Sequence, residues 1–496
     1  MAFKKTKQQL DIELASDSGD NIKISAYAGC SKTTILSMIG DRHQEKLGLY
    51  VAFNKSAQVD AERRMPPNIT SRTFHSLGWA AMDVSRVYGN NGVGNMIRMS
   101  YSALRRYLRL PDERTLSIVK KTVQRYIQSL DETITRHHVP REALISLANE
   151  NEKRQFADDI TRAARLLWKN MSDPGNRNFQ LPHDGYLKLW YHNGGELPFY
   201  PDMVMIDEAQ DMNPINWGLV QKWSGQRFVV GDSYQQIYSF RGAIDAMKRV
   251  DYRTMMLSKS FRFGEAIADV ANNFLMLDGD IGTPLVGNNQ VNSKVVFDNN
   301  RPDGKYTILC RTNMGLMDEA IQLAKQGKSI AIVGDIQDSL RRLTSAWSLF
   351  TEDYDNVKHP DIQMFADWDG LLEASGDDHE LGMTVKRVEE YGGRVPEIAE
   401  SLRIATGTNE DKADVIISTA HKAKGREWPV VVLAEDFPDL IRVDKQGNAK
   451  ILKDERNLAY VSATRAINVL YGNSMLLKTK SYMTHRANTA TSTIAA

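Results

Sequence analysis

The chain has almost no cysteine: Cys30 and Cys310 are the only two in 496 residues. That excludes a disulfide framework and leaves too few thiols for a zinc or iron–sulfur centre. It has no apolar run near the roughly 20 residues of a membrane span. Its opening, MAFKKTKQQLD, lacks the apolar centre of a secretion signal. The expected setting is the cytoplasm, or the nucleus in a eukaryotic host, with no membrane partner. The chain also has almost no net charge, +1. A polybasic, tail-type nucleic-acid binder is therefore excluded, and any basic surface must be a local groove. What remains is a globular composition, 42% hydrophobic and 25% charged. The chain is long enough for more than one core.

Short β-rich runs recur between helical stretches. They are Ile22–Ala26, Leu49–Phe53, Met203–Ile206, Phe228–Val230, Thr307–Cys310, Ser329–Val333, Val415–Ser418 and Val430–Leu433. Such alternation predicts an α/β fold with parallel sheets. Two helical stretches interrupt it, Leu77–Tyr200 and Ile336–Lys412, and both read as insertions in loops of the framework. The closing HRANTATSTIAA has no core pattern and predicts a flexible tail over 481–496.

Chemistry gathers at the ends of these runs. Ile22–Ala26 leads into AYAGCSKTT and a helical pattern, the strand–loop–helix context of a phosphate-binding loop. Backbone N–H groups of Ala28, Gly29, Cys30, Ser31, Lys32, Thr33 and Thr34 would cradle phosphates at a helix N-terminus. Lys32 would reach the β- and γ-phosphates, and the Thr33 hydroxyl would take Mg²⁺. The loop departs from consensus: Ser31 stands in the place of the glycine before the lysine, and Ala26 in that of the first glycine. Taken alone, it also reads as an ordinary small-residue turn.

Asp207 and Glu208 follow the run Met203–Ile206, which puts two carboxylates at a strand's C-terminal tip, where ligands bind in doubly wound sheets. One can hold Mg²⁺ while its neighbour deprotonates an attacking water. A bare Asp-Glu pair also reads as a solvated turn. The upstream Lys32 argues against that. Downstream, GDSYQQIYSFRGA offers an amide, Gln235, then two rings, Tyr238 and Phe240, and a guanidinium, Arg241. A phosphate-sensing amide beside flat rings suggests ATP chemistry coupled to a nucleic-acid strand.

These blocks, in this order, resemble a superfamily 1 DNA helicase of the UvrD/Rep type. The similarity is greatest to the helicase core of the F-box DNA helicases, without an F-box segment. The resemblance implies further roles. In TKQQL, Gln9 would read adenine. In YVAFNKSA and TSRTFHSLGW, the residues Asn54, Lys55, Thr73, Phe74 and His75 would contact DNA; taken alone, Phe74 also reads as core and His75 as a satisfied polar residue. In LSKSFRF, Phe261 would stack on adenine where relatives carry tyrosine, and Arg262 would touch the γ-phosphate. In STAHKAKGREW, Thr419, His421, Lys422 and Lys424 would face DNA or the domain interface, and Glu427 would hold the ribose. In NLAYVSATRA, Arg465 would be the second γ-phosphate arginine. Lys32, Asp207, Glu208, Gln235, Arg262 and Arg465 would form the catalytic set.

The resemblance implies two RecA-like domains, one from 1–75 with 200–250 and one from 251–335 with 413–480. Insertions at 76–199 and 336–412 would interrupt them. The function it implies is an ATP- and Mg²⁺-dependent translocase and helicase on single-stranded DNA and single-strand/duplex junctions. Stepping would run 3′→5′, in repair, recombination or replication, with recombinase or replication proteins as candidate partners. The alternative is a nucleotide-gated binder of DNA or of a recombinase filament, with little unwinding.

Overall fold

A computed structural model describes residues 5–494 except 90, 95–100, 146, 240–241, 280, 299–300, 335, 377, 406–407 and 444–448. Phe240 and Arg241 therefore lie outside the described residues.

The chain builds two six-stranded parallel sheets. The first contains β1 (Ile22–Ala26), β2 (Gly48–Ala52), β3 (Ile69–Thr73), β4 (Met203–Ile206), β5 (Gln226–Gly231) and β6 (Arg253–Leu257), in the order β3-β2-β4-β5-β1-β6. The second begins with β7 (Lys294–Val296), β8 (Tyr306–Cys310), β9 (Ile330–Ile332), β10 (Val415–Thr419) and β11 (Trp428–Leu433). A small antiparallel hairpin of β12 (Ile441–Val443) and β13 (Ala449–Ile451) follows, and then β14 (Ala466–Tyr471). The second sheet's order is β7-β14-β11-β8-β10-β9. The fold is α/β, two parallel sheets covered by helices. Buried on both faces, β2, β4, β8 and β10 read as largely apolar runs, and this made them visible in the sequence.

Four sheet strands lay outside the expected runs: β3, β6, β7 and β14. The first three are sheet edges. β3 alternates buried and exposed residues, and β7 has three residues. Edge strands carry neither the length nor the continuous apolar character of central ones.

Helices between β3 and β4 include Glu113–Gln128 and Glu150–Ser172, packed around their own core of Leu116, Val123, Ile160 and Leu167. Helices between β9 and β10 include Gln337–Phe350 and His379–Tyr391. The two groups touch. Arg114 Nε donates to the carbonyl of Met364 at 2.7 Å, and Ser117 Oγ to that of Pro360 at 3.2 Å. The final helix spans Ser474–Ile494. One buried cluster is continuous from the first sheet (Ile24, Phe228) through Phe263 and Phe274 to Leu458 and Leu470 of the second lobe. The lobes thus share apolar packing behind their seam.

Phe74 packs into the core, the alternative its sequence also allowed. It opens the helix Phe74–Ala81, and its ring stacks on Trp223 with centroids 5.8 Å apart, inside the core that also holds Leu77 and Trp190. It is 7% exposed and presents no face to a base. Burying a phenyl ring is worth more than leaving it in water beside one stacked base. Phe74→Ala is accordingly expected to destabilise the protein by about 3–5 kcal/mol. A shift of the urea midpoint measures it; a cost below about 1 kcal/mol, normal for a surface site, would contradict the packing role.

Candidate nucleotide site at the seam between the sheets

The phosphate-type loop leaves the C-terminal tip of β1 and enters the helix Lys32–Arg42. Ser31 occupies the N-cap with φ +58°, left-handed backbone that a glycine adopts without strain. Gly29 has φ +75°, and a Cβ there would lie 2.4 Å from Ser260 Oγ. Its carbonyl accepts from Phe261 N–H at 2.8 Å. That close approach docks the loop on the segment carrying Phe261 and Arg262. Cys30 is buried and free, and burial pushes its thiol up, so it is a space-filling side chain. Thr34 is half-buried in the helix's first turn.

Lys32 Nζ pairs with Glu208 Oε1 at 2.9 Å, and Gln210 Nε2 donates to the other carboxylate oxygen. Glu208 sits in left-handed backbone, φ +51°, which turns its side chain back toward the loop. Burial pushes its pKa up, but Lys32 and Lys424 more than offset this and hold it down at about 2. Burial and the Glu208 charge act the other way on Asp207, raising it. Asp207 Oδ2 accepts from Thr33 Oγ1 at 3.0 Å and from the Tyr50 hydroxyl at 2.8 Å. Two adjacent carboxylates thus have different environments. One is locked to an ammonium, and the other lies beside two hydroxyls. Thr33 and Asp207 place hard oxygen donors side by side, which fits Mg²⁺.

The second lobe closes the seam. Arg465 is 2% exposed. Its Nε donates to Val461 O at 2.9 Å, and its Nη2 lies 3.5 Å from Gln235 Oε1. Burial, then the neighbouring Arg262, lower its pKa to about 9, so it stays charged at neutral pH. The Glu208 charge bears electrostatically on both Lys32 and Arg465. Arg262 Nε contacts Glu427 Oε2 at 2.5 Å, and its Nη1 donates to Thr464 O at 3.1 Å. Lys424 pairs with buried Asp211 and donates to Gln235 O at 2.6 Å, which puts it at the lobe interface.

Gln9 and its neighbour divide the work at the other end. Gln9 Oε1 accepts from Thr6 N–H at 2.9 Å in a capping box, and its Nε2 is buried with no partner among the described residues. Gln8 instead holds Ser258, accepting from its N–H at 3.0 Å. Phe261 is half-buried next to the loop.

On the outer side, Phe53 and Tyr238 stack at 6.1 Å with planes 11° apart. His421 lies 6.2 Å from Tyr238, and Lys424 Nζ lies 5.3 Å above the Tyr238 ring. Asn54 is exposed and caps the helix Lys55–Arg64, where Lys55 reaches Gln58 at 3.2 Å. Lys422 is exposed. His75 is exposed but held by the Tyr186 hydroxyl at 2.9 Å. Thr73 and Thr419 are buried helix caps, so their hydroxyls serve backbone N–H groups.

Sequence reasoning missed Tyr50, Phe53, Gln210, Asp211, Asp232, Asn457 and Tyr460. Tyr50 is hidden in the apolar strand β2 and gave no signal. Asn457 and Tyr460 sit inside NLAYVSATRA, and Asp232 inside GDSYQQ, so proximity to the chosen residues was the available clue.

The UvrD/REP helicase N-terminal domain model matches residues 199–251, and the UvrD-like helicase C-terminal domain model matches 380–474. F-box DNA helicase 1 of Gallus gallus is 30% identical over 495 residues, covering 93% of this chain and 48% of its own length. F-box DNA helicase protein 1 of Schizosaccharomyces pombe is 27% identical over 516 residues, covering 95% of this chain and 58% of its own. The chain thus spans about half the length of these curated relatives. With two parallel sheets and a loop lysine facing paired carboxylates, the chain carries matches to the N- and C-terminal UvrD-like helicase domains in sequence order and is homologous to the F-box DNA helicases over most of its length.

Proposed function

We propose that this chain is a DNA-dependent ATPase that turns ATP hydrolysis into stepping along single-stranded DNA and into strand separation. The meeting of Lys32, Thr33, Asp207, Glu208, Gln235 and Arg465 in one seam carries the reading. Asn54, Lys55, Lys422 and the Phe53–Tyr238 stack supply phosphate- and base-facing groups on the outer side.

The paired state of Glu208 suggests a gate. A carboxylate held near pKa 2 by Lys32 is a weak base. When a triphosphate takes Lys32, the pair opens and Glu208 regains basicity toward the attacking water. Hydrolysis is then tied to occupancy. Mg²⁺ on Thr33 and Asp207 would supply charge neutralisation at the β- and γ-phosphates. Gln9 and Phe261 flank the adenine end, and Glu427 the ribose. Arg262 and Arg465 stabilise charge on the transferring phosphoryl group. Gln235 lies three residues from Tyr238, so its movement reaches the stacking platform. Phosphate and stacking contacts give weak sequence preference and strong salt dependence. Resemblance supports 3′→5′ stepping, single-strand/duplex junctions as substrate, and work in repair, recombination or replication.

Steady-state ATP turnover is expected to rise with single-stranded DNA. Lys32→Ala should abolish that rise, and Glu208→Gln should bind ATP with little hydrolysis. Retained stimulated turnover in Lys32→Ala would remove the assignment. On the outer side, Tyr238→Ala or Phe53→Ala is expected to weaken single-stranded DNA binding by about 1–3 kcal/mol. Anisotropy titration at two salt concentrations reads this, and unchanged affinity in both would exclude the stack from the DNA path.

Ser31→Gly should relieve about 1–2 kcal/mol of left-handed strain, offset by about 0.5–1 kcal/mol of glycine's extra unfolded-state entropy. The expected result is an equal or slightly higher melting midpoint with ATPase intact. A sharp loss of turnover would give the serine hydroxyl a role of its own.

A further inference from the structure

We propose that Asn457 and Tyr460 are positioning residues that key the second lobe onto the Gln235 turn and so tie the phosphate loop to Arg465. The inference rests on the ATPase reading above and goes one step deeper into the same seam.

Both residues lie on the helix Lys453–Ala463, which ends just before Arg465. Spaced i and i+3, they share one face of that helix. Asn457 Nδ2 donates to two carbonyls of the opposite lobe, Ser233 O at 3.2 Å and Gln236 O at 2.8 Å. These carbonyls bracket Gln235. Tyr460 is fully buried. Its hydroxyl accepts from Ala28 N–H at 2.9 Å and donates to Asp232 Oδ2 at 3.1 Å. That same oxygen takes Gln235 Nε2 at 2.8 Å.

One hydroxyl therefore touches the phosphate loop and the acid that fixes the Gln235 amide. Asp232 is itself 1% exposed, and burial raises its pKa. A buried acceptor of this kind is costly to leave with fewer donors. The chain of bonds runs Ala28 to Tyr460, to Asp232, to Gln235, to Arg465. Each link fixes the orientation of the next. A shift of the loop backbone at Ala28 therefore reaches the Gln235 amide and the Arg465 guanidinium through polar contacts, without relying on the apolar packing behind.

Tyr460→Phe removes the hydroxyl and keeps the ring, which packs against Tyr234 with centroids 6.2 Å apart. The expected result is a fall of about ten-fold in DNA-stimulated kcat, with KM for ATP within about two-fold, because one cross-lobe hydrogen-bond relay is lost. In a double-mutant cycle with Gln235→Ala, the pair should be no slower than Gln235→Ala alone, since both act through one amide. Multiplying effects would overturn the inference.

Hydrogen–deuterium exchange gives a readout that needs no turnover. Peptides covering 26–31 and 232–237 should exchange faster in Tyr460→Phe, and the second also in Asn457→Ala. Unchanged protection in both variants would overturn the inference; if Tyr460→Phe proved unstable, unchanged protection of 232–237 in Asn457→Ala would overturn it alone. A wild-type protein without DNA-stimulated turnover would sink the ATPase reading, while the exchange result would still decide the positioning role.

Discussion

Everything at the seam depends on one constraint: charges buried between two lobes must find partners there. Asp207, Asp211 and Arg465 are buried, and Lys32, Glu208 and Lys424 are partly so. A buried charge without a partner costs several kcal/mol. The molecule meets this by cross-pairing, Lys32 with Glu208, Lys424 with Asp211, and Arg465 with backbone and amide oxygens. An anionic ligand entering such a pocket is not merely added. It replaces partners, so binding is coupled to rearrangement of the groups it displaces.

The same constraint distributes roles between two chemically identical groups. Asp207 and Glu208 are adjacent carboxylates, yet their environments push their proton affinities in opposite directions. The left-handed backbone at Glu208 is the local device that sends one toward Lys32 and leaves the other beside Thr33 and Tyr50. Titratable pairs whose proton affinities are pushed apart by their environments are enriched at functional sites. On the outer side, Phe53 and Tyr238 come from the first lobe, while His421 and Lys424 come from the second. Motion between lobes must therefore change that aromatic cluster.

Legibility in the sequence followed burial. Central strands such as β2 and β4 were readable because both faces are covered and the residues are largely apolar. The edge strands β3, β6 and β7 were not, because one side meets solvent or the strand is very short. Phe74 was open to two readings for a related reason. An aromatic after a strand and before a helix suits either a base-stacking position or a core. Only its contact with Trp223 decides between them. Thr73 and Thr419 are similar cases, since a hydroxyl at a strand end serves a helix cap as readily as a phosphate. Tyr50 was invisible, for its hydroxyl acts on Asp207 from within an apolar strand.

The linear order of residues determined the parallel α/β framework, the loop lysine, the acidic strand tip and the two late arginines. Each is a local pattern whose chemistry needs only near neighbours in the chain. Tertiary structure alone decided which side chains face one another across the seam. Tyr460 meets Ala28 and Asp232, and Lys424 meets Asp211, partners separated by up to 432 positions. Pairings at that distance depend on how two independently patterned sheets dock, and no periodicity within either one encodes it.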